Sequence, residues 1–136
     1  KLIPKHIWDN YYKFSIDRNP FDKMVSLYFW RGGNKRFSGI IDFLKNGGLN
    51  GFTSYEVYSI DGVVKVDQVY QYENLDFMIN DLNEKLQLKG QLKMPEYRAK
   101  SKTRKVENHK DLLDTESIDL IKTIFAREIE LLNYEY

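Results

Sequence analysis

The chain has 136 residues, of which 42% are hydrophobic and 15% aromatic, a composition that excludes disorder and suits a single domain over residues 1–136. Its 21 basic and 20 acidic residues leave a formal charge of +1, so overall charge gives no argument for a nucleic-acid or membrane partner. The lack of cysteine excludes disulfides and thiolate catalysis and favours a cytoplasmic location, and no apolar run approaches the ~20 residues that span a bilayer.

The first predicted elements are a short helix, a strand and a second helix. Pro4 opens the short helix, and the alternating, β-rich run "YYKFSI" predicts a buried strand. Asn19 followed by Pro20 is typical of a helix N-cap with proline at the first helical position, and a glycine pair beginning at Gly32 ends this helix. The apolar face of the helix comprises Phe21, Met24, Val25, Tyr28 and Phe29.

Three more helices and a hairpin are predicted in the rest of the chain. Ser38 is the expected N-cap of a helix over "GIIDFLK". Asn74 is the expected N-cap of a helix over "LDFMINDLNEKLQL", and Thr115 is the expected N-cap of a helix near the C-terminus. The Asp61-Gly62 pair joins two β-rich runs and predicts a hairpin turn. With no internal repeat and no dividing linker, the pattern indicates one α/β domain.

The stretch "FSIDRNPFDKMVSLYFW" puts Arg18 where the predicted strand ends and the capped helix begins. At such a turn the helix amides and dipole favour an anion, and a guanidinium can hold a phosphate through two parallel hydrogen bonds. Ser26, two turns into the helix and off its apolar face, could offer its hydroxyl to the same phosphate. Alternatively, Arg18 makes a salt bridge with Asp17 or Asp22, and Ser26 is a solvated helix residue.

The longer string "KFSIDRNPFDKMVSLYFW" resembles the second cofactor motif of the sulfotransferases, in the carbohydrate type found in Golgi enzymes and bacterial relatives. In that family an arginine and a serine eight positions apart bind the 3′-phosphate of the sulfate donor PAPS (3′-phosphoadenosine 5′-phosphosulfate), and Arg18 and Ser26 have that spacing. Two later strings match in the family's order. "VDQVYQYENL" looks like its strand before a helix start, and "LIKTIFAREIELLNYEY" looks like its C-terminal helix.

The resemblance implies a fold, an activity and a donor. The fold would be α/β, a three-layer P-loop-like sulfotransferase fold with a mostly parallel sheet, to which the Asp61-Gly62 hairpin adds antiparallel strands at an edge. The activity would be transfer of the sulfuryl group from PAPS, without a metal, to a hydroxyl of a carbohydrate-like acceptor. A eukaryotic member would work in the Golgi lumen.

Two features depart from the family's pattern. Its members begin with a strand and a phosphate-binding loop carrying a lysine and Thr/Ser residues, which neither "WRGGNKR" nor "KNGGLNG" fits. We therefore expect the N-terminal strands to be absent from this chain, and the catalytic residues are unknown. Asp17 replaces an apolar or aromatic residue, and alternation along the strand predicts that its side chain points away from that of Arg18.

A basic segment, residues 89–110, contains eight Lys or Arg residues and two acids, which gives a net charge of +6. Such a stretch can attract a polyanion through its local field, or it can be a solvated loop. The resemblance makes Lys100, Ser101 and Arg104 candidates for contacts to the donor nucleotide. The segment would also attract a sulfated or uronate-bearing glycan acceptor.

Other residues give less specific signals. His6 and His109 are far apart in sequence and lack nearby acids, so they do not predict a metal site. Glu73 is best interpreted as a carboxylate at the N-terminus of its own helix. Two other functions stay open: a non-catalytic remnant or binding module for an anionic glycan or nucleotide, and a nucleotide kinase of the wider P-loop class.

Overall fold

The computed structural model describes residues 3–95 and 108–136, and statements about the structure refer to these residues. Single turns of 3-10 helix occur at Tyr55–Val57, Tyr72–Asn74 and His109–Asp111. The helices are α1 (Lys5–Asn10), α2 (Pro20–Trp30), α3 (Gly33–Arg36), α4 (Ile40–Lys45), α5 (Leu75–Leu86), α6 (Thr115–Ile124) and α7 (Ala126–Leu132), and the strands are β1 (Phe14–Asp17), β2 (Ser59–Ile60), β3 (Val63–Val64) and β4 (Gln68–Gln71).

The fold is mixed α/β, and its first sheet is a parallel pair. Strand β1 pairs with β4 in a register that runs from Phe14 opposite Gln68 to Asp17 opposite Gln71. Because parallel strands point the same way, both strands end at one edge, which we call the carboxyl edge. The predicted α/β class is confirmed at this level, and α2 and α5 both begin near the carboxyl edge.

The predicted Asp61-Gly62 hairpin is present but does not extend this sheet. Both turn residues have positive φ, 51° and 75°, as a type I′ turn requires, and β2 and β3 pair antiparallel around them. In the described residues the two pairs of strands form separate sheets, so the prediction of an edge addition is wrong. The last hydrogen bond beside the hairpin runs from the Lys65 amide to the Tyr58 carbonyl. Two residues later, the Asp67 amide donates to the carbonyl of Lys13, the residue before β1, at 2.8 Å.

Two hydrophobic clusters hold the elements together. The larger lies among α2, α4 and α6, where Met24, Val25, Phe43 and Ile121 are fully buried. The smaller lies between β4 and α5 and comprises Tyr70, Met78 and Leu82. In the part of the chain that the structure describes, no helix has the length and apolar character needed to cross a membrane.

Helix caps agree with the sequence at α2 and differ elsewhere. The Asn19 side chain accepts from the Phe21 amide, as predicted. At α6 the cap is Asp114, which accepts from the Ser117 amide, so Thr115 is the first helical residue and the predicted cap is wrong. Gly39 similarly replaces Ser38 as the N-cap position of α4, and Asn74 occupies the N-cap of α5 without a side-chain hydrogen bond.

Candidate functional site

The turn between β1 and α2 consists of Arg18 and Asn19, at the carboxyl edge. Asn19 Oδ1 accepts from the Phe21 amide at 3.0 Å, and Pro20 supplies the fixed φ that suits the first helical position. This local chemistry starts α2 directly after the strand. Arg18 is thereby held between a strand end and a helix N-terminus, as the sequence predicts.

The Arg18 guanidinium has two neighbours and one unsatisfied donor. It forms an ion pair with Asp22, one turn into α2, which is one of the salt bridges that the sequence left open. Its Cζ lies 5.0 Å from the centre of the Tyr72 ring, within range of a cation–π contact. Its buried Nε has no hydrogen-bond partner in the described residues. A buried donor without an acceptor is unfavourable, and a bound anion could satisfy it.

Ser26 lies one helical turn beyond Asp22, so these two residues share one side of α2, whereas Arg18 lies before the N-cap of the helix. Ser26 is half-buried. The Arg18 guanidinium reaches this side of α2 through its ion pair with Asp22. Asp22 lies between Arg18 and Ser26 in sequence, and its carboxylate already pairs with the Arg18 guanidinium.

The Asp17 carboxylate is buried and points to a different set of partners from Arg18. It accepts from Lys23 Nζ at 2.5 Å and from the Tyr58 hydroxyl at 2.8 Å, and it also accepts from the Arg18 amide. Lys23 additionally donates to Ser54 Oγ at 2.6 Å. Burial raises the pKa of Tyr58, and the hydrogen bond and charge of Asp17 add to the effect. The departure at this position therefore contributes a buried ion pair instead of a free charge beside Arg18.

Glu73 and Tyr134 contact the same turn from two distant parts of the chain. Glu73 Oε1 accepts from the Asn19 amide at 2.8 Å, and the Tyr134 hydroxyl lies 2.9 Å from the Asp17 carbonyl oxygen. The hydroxyl is also 3.2 Å from Glu73 Oε2. Burial raises the pKa of Tyr134, and the charges of Glu73 and Asp17 raise it further. Asn19 Nδ2 also donates to the Glu135 carbonyl, so the end of the chain is tied to the turn.

The contact made by Glu73 differs from the prediction. The sequence indicated a carboxylate at the N-terminus of its own helix, α5, but Glu73 instead accepts from the amide of Asn19, the N-cap of α2. Its partner is 54 residues away, and local patterns carry no information at that separation. The contacts of Tyr58 and Tyr134 were missed for the same reason.

The backbone amides at the start of α2 are already used. The amides of Arg18, Asn19 and Phe21 donate to side-chain oxygens, and Pro20 has no amide hydrogen. The expectation that helix amides would bind an anion is therefore wrong for these positions. Arg18 would therefore have to bind an anion through its side chain and not through its amide.

Both flanks of the basic segment lie near the carboxyl edge. Leu92 exchanges two hydrogen bonds with the Asn83 side chain, and residues 91–94 return along α5 to share an open groove of about 610 Å³ with Asp76, in its first turn. On the other flank, Lys110 Nζ lies 5.2 Å from the centre of the Tyr136 ring. The Tyr136 ring in turn packs edge-on against Phe21 in α2. Three candidates from the sequence, Lys100, Ser101 and Arg104, lie outside the described residues.

A scan against known protein families, a search of curated proteins and a search of solved structures each found no match to the chain. Within residues 3–95 and 108–136, no group of three or more His, Asp or Glu side chains is placed to hold a metal ion.

Proposed function

We propose that the chain belongs to a PAPS-dependent sulfotransferase that transfers a sulfuryl group to a hydroxyl of a carbohydrate-like acceptor. In this proposal Arg18 and Ser26 hold the 3′-phosphate of the donor. The observation that supports it is the unsatisfied Nε of Arg18 at the end of a parallel strand, in a guanidinium that pairs with Asp22 one helical turn before Ser26. The full fold would be three-layered and P-loop-like, with more parallel strands than β1 and β4.

The mechanism follows from the charge that develops in sulfuryl transfer. The group passes in line from donor to acceptor with its charge spread over its oxygens, so the enzyme mainly positions and neutralises while a base takes the acceptor proton. Arg18 and Ser26 would bind the far end of the donor and set its register. The catalytic base is unassigned.

Charge distribution supports a role for the basic segment in the same site. Residues 89–110 carry a net +6 and the whole chain +1, so the remaining residues carry a net −5. Asp22 and Glu73 both lie beside the turn that would hold a phosphate, where they oppose an anion. We propose that the segment supplies the compensating charge, with Lys100, Ser101 and Arg104 as donors to the nucleotide.

A calorimetric titration with PAP, the product nucleotide that keeps the 3′-phosphate, tests the proposal. ATP is the control because it is an adenine nucleotide with more phosphates but none on the 3′ oxygen. The proposal predicts micromolar PAP binding that exceeds ATP binding and survives high salt. Equal and salt-sensitive binding of both nucleotides would contradict a specific 3′-phosphate site.

The separation of charge favours a second candidate, a binding module for an anionic glycan. A +6 segment on a chain that is otherwise −5 can bind a polyanion without help from Arg18. A sulfated oligosaccharide would then bind the wild type and Arg18→Ala equally, and salt would abolish the binding of both. Sulfated-oligosaccharide binding that depends on Arg18 would argue against this candidate.

A further inference from the structure

Two hydrogen bonds to distant residues hold the peptide groups on either side of Arg18, in addition to the local bond from the Arg18 amide to the Asp17 carboxylate. The Asp17 carbonyl, in the preceding peptide group, lies 2.9 Å from the Tyr134 hydroxyl, and the Asn19 amide, in the following group, donates to Glu73 at 2.8 Å. The hydroxyl and the second Glu73 oxygen are only 3.2 Å apart, so the two contacts form one unit.

Because each peptide group is planar, the two groups that flank a residue determine its φ and ψ and hence the direction of its Cα–Cβ bond. We propose that Tyr134 and Glu73 are positioning residues that set the direction in which the Arg18 side chain leaves the turn. The inference rests on the proposed function for what Arg18 binds. The positioning itself can be measured without any ligand.

The contacts of this pair are specific to the turn. Tyr134 lies two residues after the end of α7 and Glu73 lies in the 3-10 turn before α5, so both reach the turn from other parts of the chain. Tyr134 is buried, and its raised pKa keeps the hydroxyl protonated and able to donate. Tyr58 provides a matched comparison, because its buried hydroxyl also binds Asp17, but at the carboxylate and not at the peptide group.

The test is a ¹H–¹⁵N spectrum of the arginine Nε–H groups in the wild type, Tyr134→Phe and Tyr58→Phe, with the Arg18 signal assigned by Arg18→Lys. Since Nε of Arg18 is buried, its proton should exchange slowly with water in the wild type. We expect Tyr134→Phe to shift this signal and speed its exchange by about tenfold, the scale of one lost hydrogen bond, and Tyr58→Phe to leave it unchanged. Unchanged exchange in Tyr134→Phe, or equal effects in both variants, would overturn the inference.

Two variants of Glu73 keep the test decisive if Tyr134→Phe does not fold. Glu73→Gln retains an oxygen for the Asn19 amide and should keep the wild-type Arg18 signal, whereas Glu73→Ala should change it. A wild-type signal in Glu73→Ala would overturn the inference. Addition of PAP to the wild-type sample then tests the proposed function separately, because a missing response to PAP would reject the 3′-phosphate site without altering the exchange result.

Discussion

Arg18 combines a predictable position with an unpredicted environment. Strand alternation, the Asn19 cap and Pro20 all lie within a few residues, so the sequence could identify the turn that holds Arg18. The residues that bind the turn from 41 to 117 positions away could not be found in this way. They include Tyr58 and Tyr134, which bind Asp17, and Glu73, which binds the Asn19 amide.

Asp22 should weaken the binding of an anion at Arg18. Its carboxylate pairs with the guanidinium, one turn before Ser26, so a phosphate has to share Arg18 with a negative charge. Asp22→Asn keeps an oxygen that can accept from Arg18 and removes that charge. We expect PAP affinity measured by calorimetry to rise about fivefold, equivalent to about 1 kcal/mol near a protein surface. Weaker PAP binding in Asp22→Asn would show that the carboxylate mainly orients Arg18.

Asp17 should contribute more to stability than an exposed acid. Asp17→Asn leaves Lys23 with its charge buried and without its carboxylate partner. We expect urea denaturation to show a loss of about 3 kcal/mol, the scale of a broken buried ion pair. Glu116→Gln, which breaks the exposed pair with Lys45, is the control and should cost less than about 1 kcal/mol. Equal losses in the two variants would mean that the Asp17 pair gains nothing from burial.

Among the elements, those with strong local signals were predicted well and those governed by tertiary contacts were not. Helix α2 has its cap, proline and apolar face in one stretch, and all three are confirmed. The second β-rich run looked continuous, but it divides between the hairpin and the parallel pair with β1. Pairing partners decide where strands break, and local alternation does not specify them.

The cap of α6 gives a prediction that distinguishes two adjacent residues. Asp114 accepts from both the amide and the hydroxyl of Ser117, whereas Thr115 is exposed and already helical. Asp114→Ala should therefore lower the urea midpoint, and Thr115→Ala should change it little. The reverse order would restore Thr115 as the cap.

This stabilisation should depend on pH in a defined direction. The hydrogen bonds from Ser117 lower the pKa of Asp114 from its ordinary 3.8. When folding lowers the pKa of a carboxyl, the ionised group stabilises the native state fully at pH values above its unfolded pKa. This stabilisation is lost as the pH falls through the folded pKa. The midpoint difference between the wild type and Asp114→Ala should thus be largest near neutral pH and shrink below pH 3.8. A difference that stays constant down to pH 2 would contradict an ionised cap.

At the scale of the whole molecule, the described residues comprise a parallel strand pair, two hydrophobic clusters and the two flanks of the basic segment. The mixed α/β class follows from the sequence because helical and strand-like periodicities alternate along it. The approach of both flanks of residues 89–110 to the carboxyl edge does not follow from the sequence, since it depends on how α5 packs and on where the end of the chain packs. The proposed donor site would use both: a turn that the sequence predicts locally and the flanks of the basic segment that the fold positions.

The most direct test of the proposed donor site is the PAP affinity of Arg18→Ala against the wild type and Arg36→Ala. Arg36 is an exposed arginine at the end of α3, so its loss changes the net charge equally without touching the turn. We predict that Arg18→Ala weakens PAP binding by about 2 kcal/mol or more, the scale of a lost charge-assisted contact, while Arg36→Ala binds like the wild type. Unchanged PAP affinity in Arg18→Ala, or equal losses in both variants, would remove Arg18 from the site.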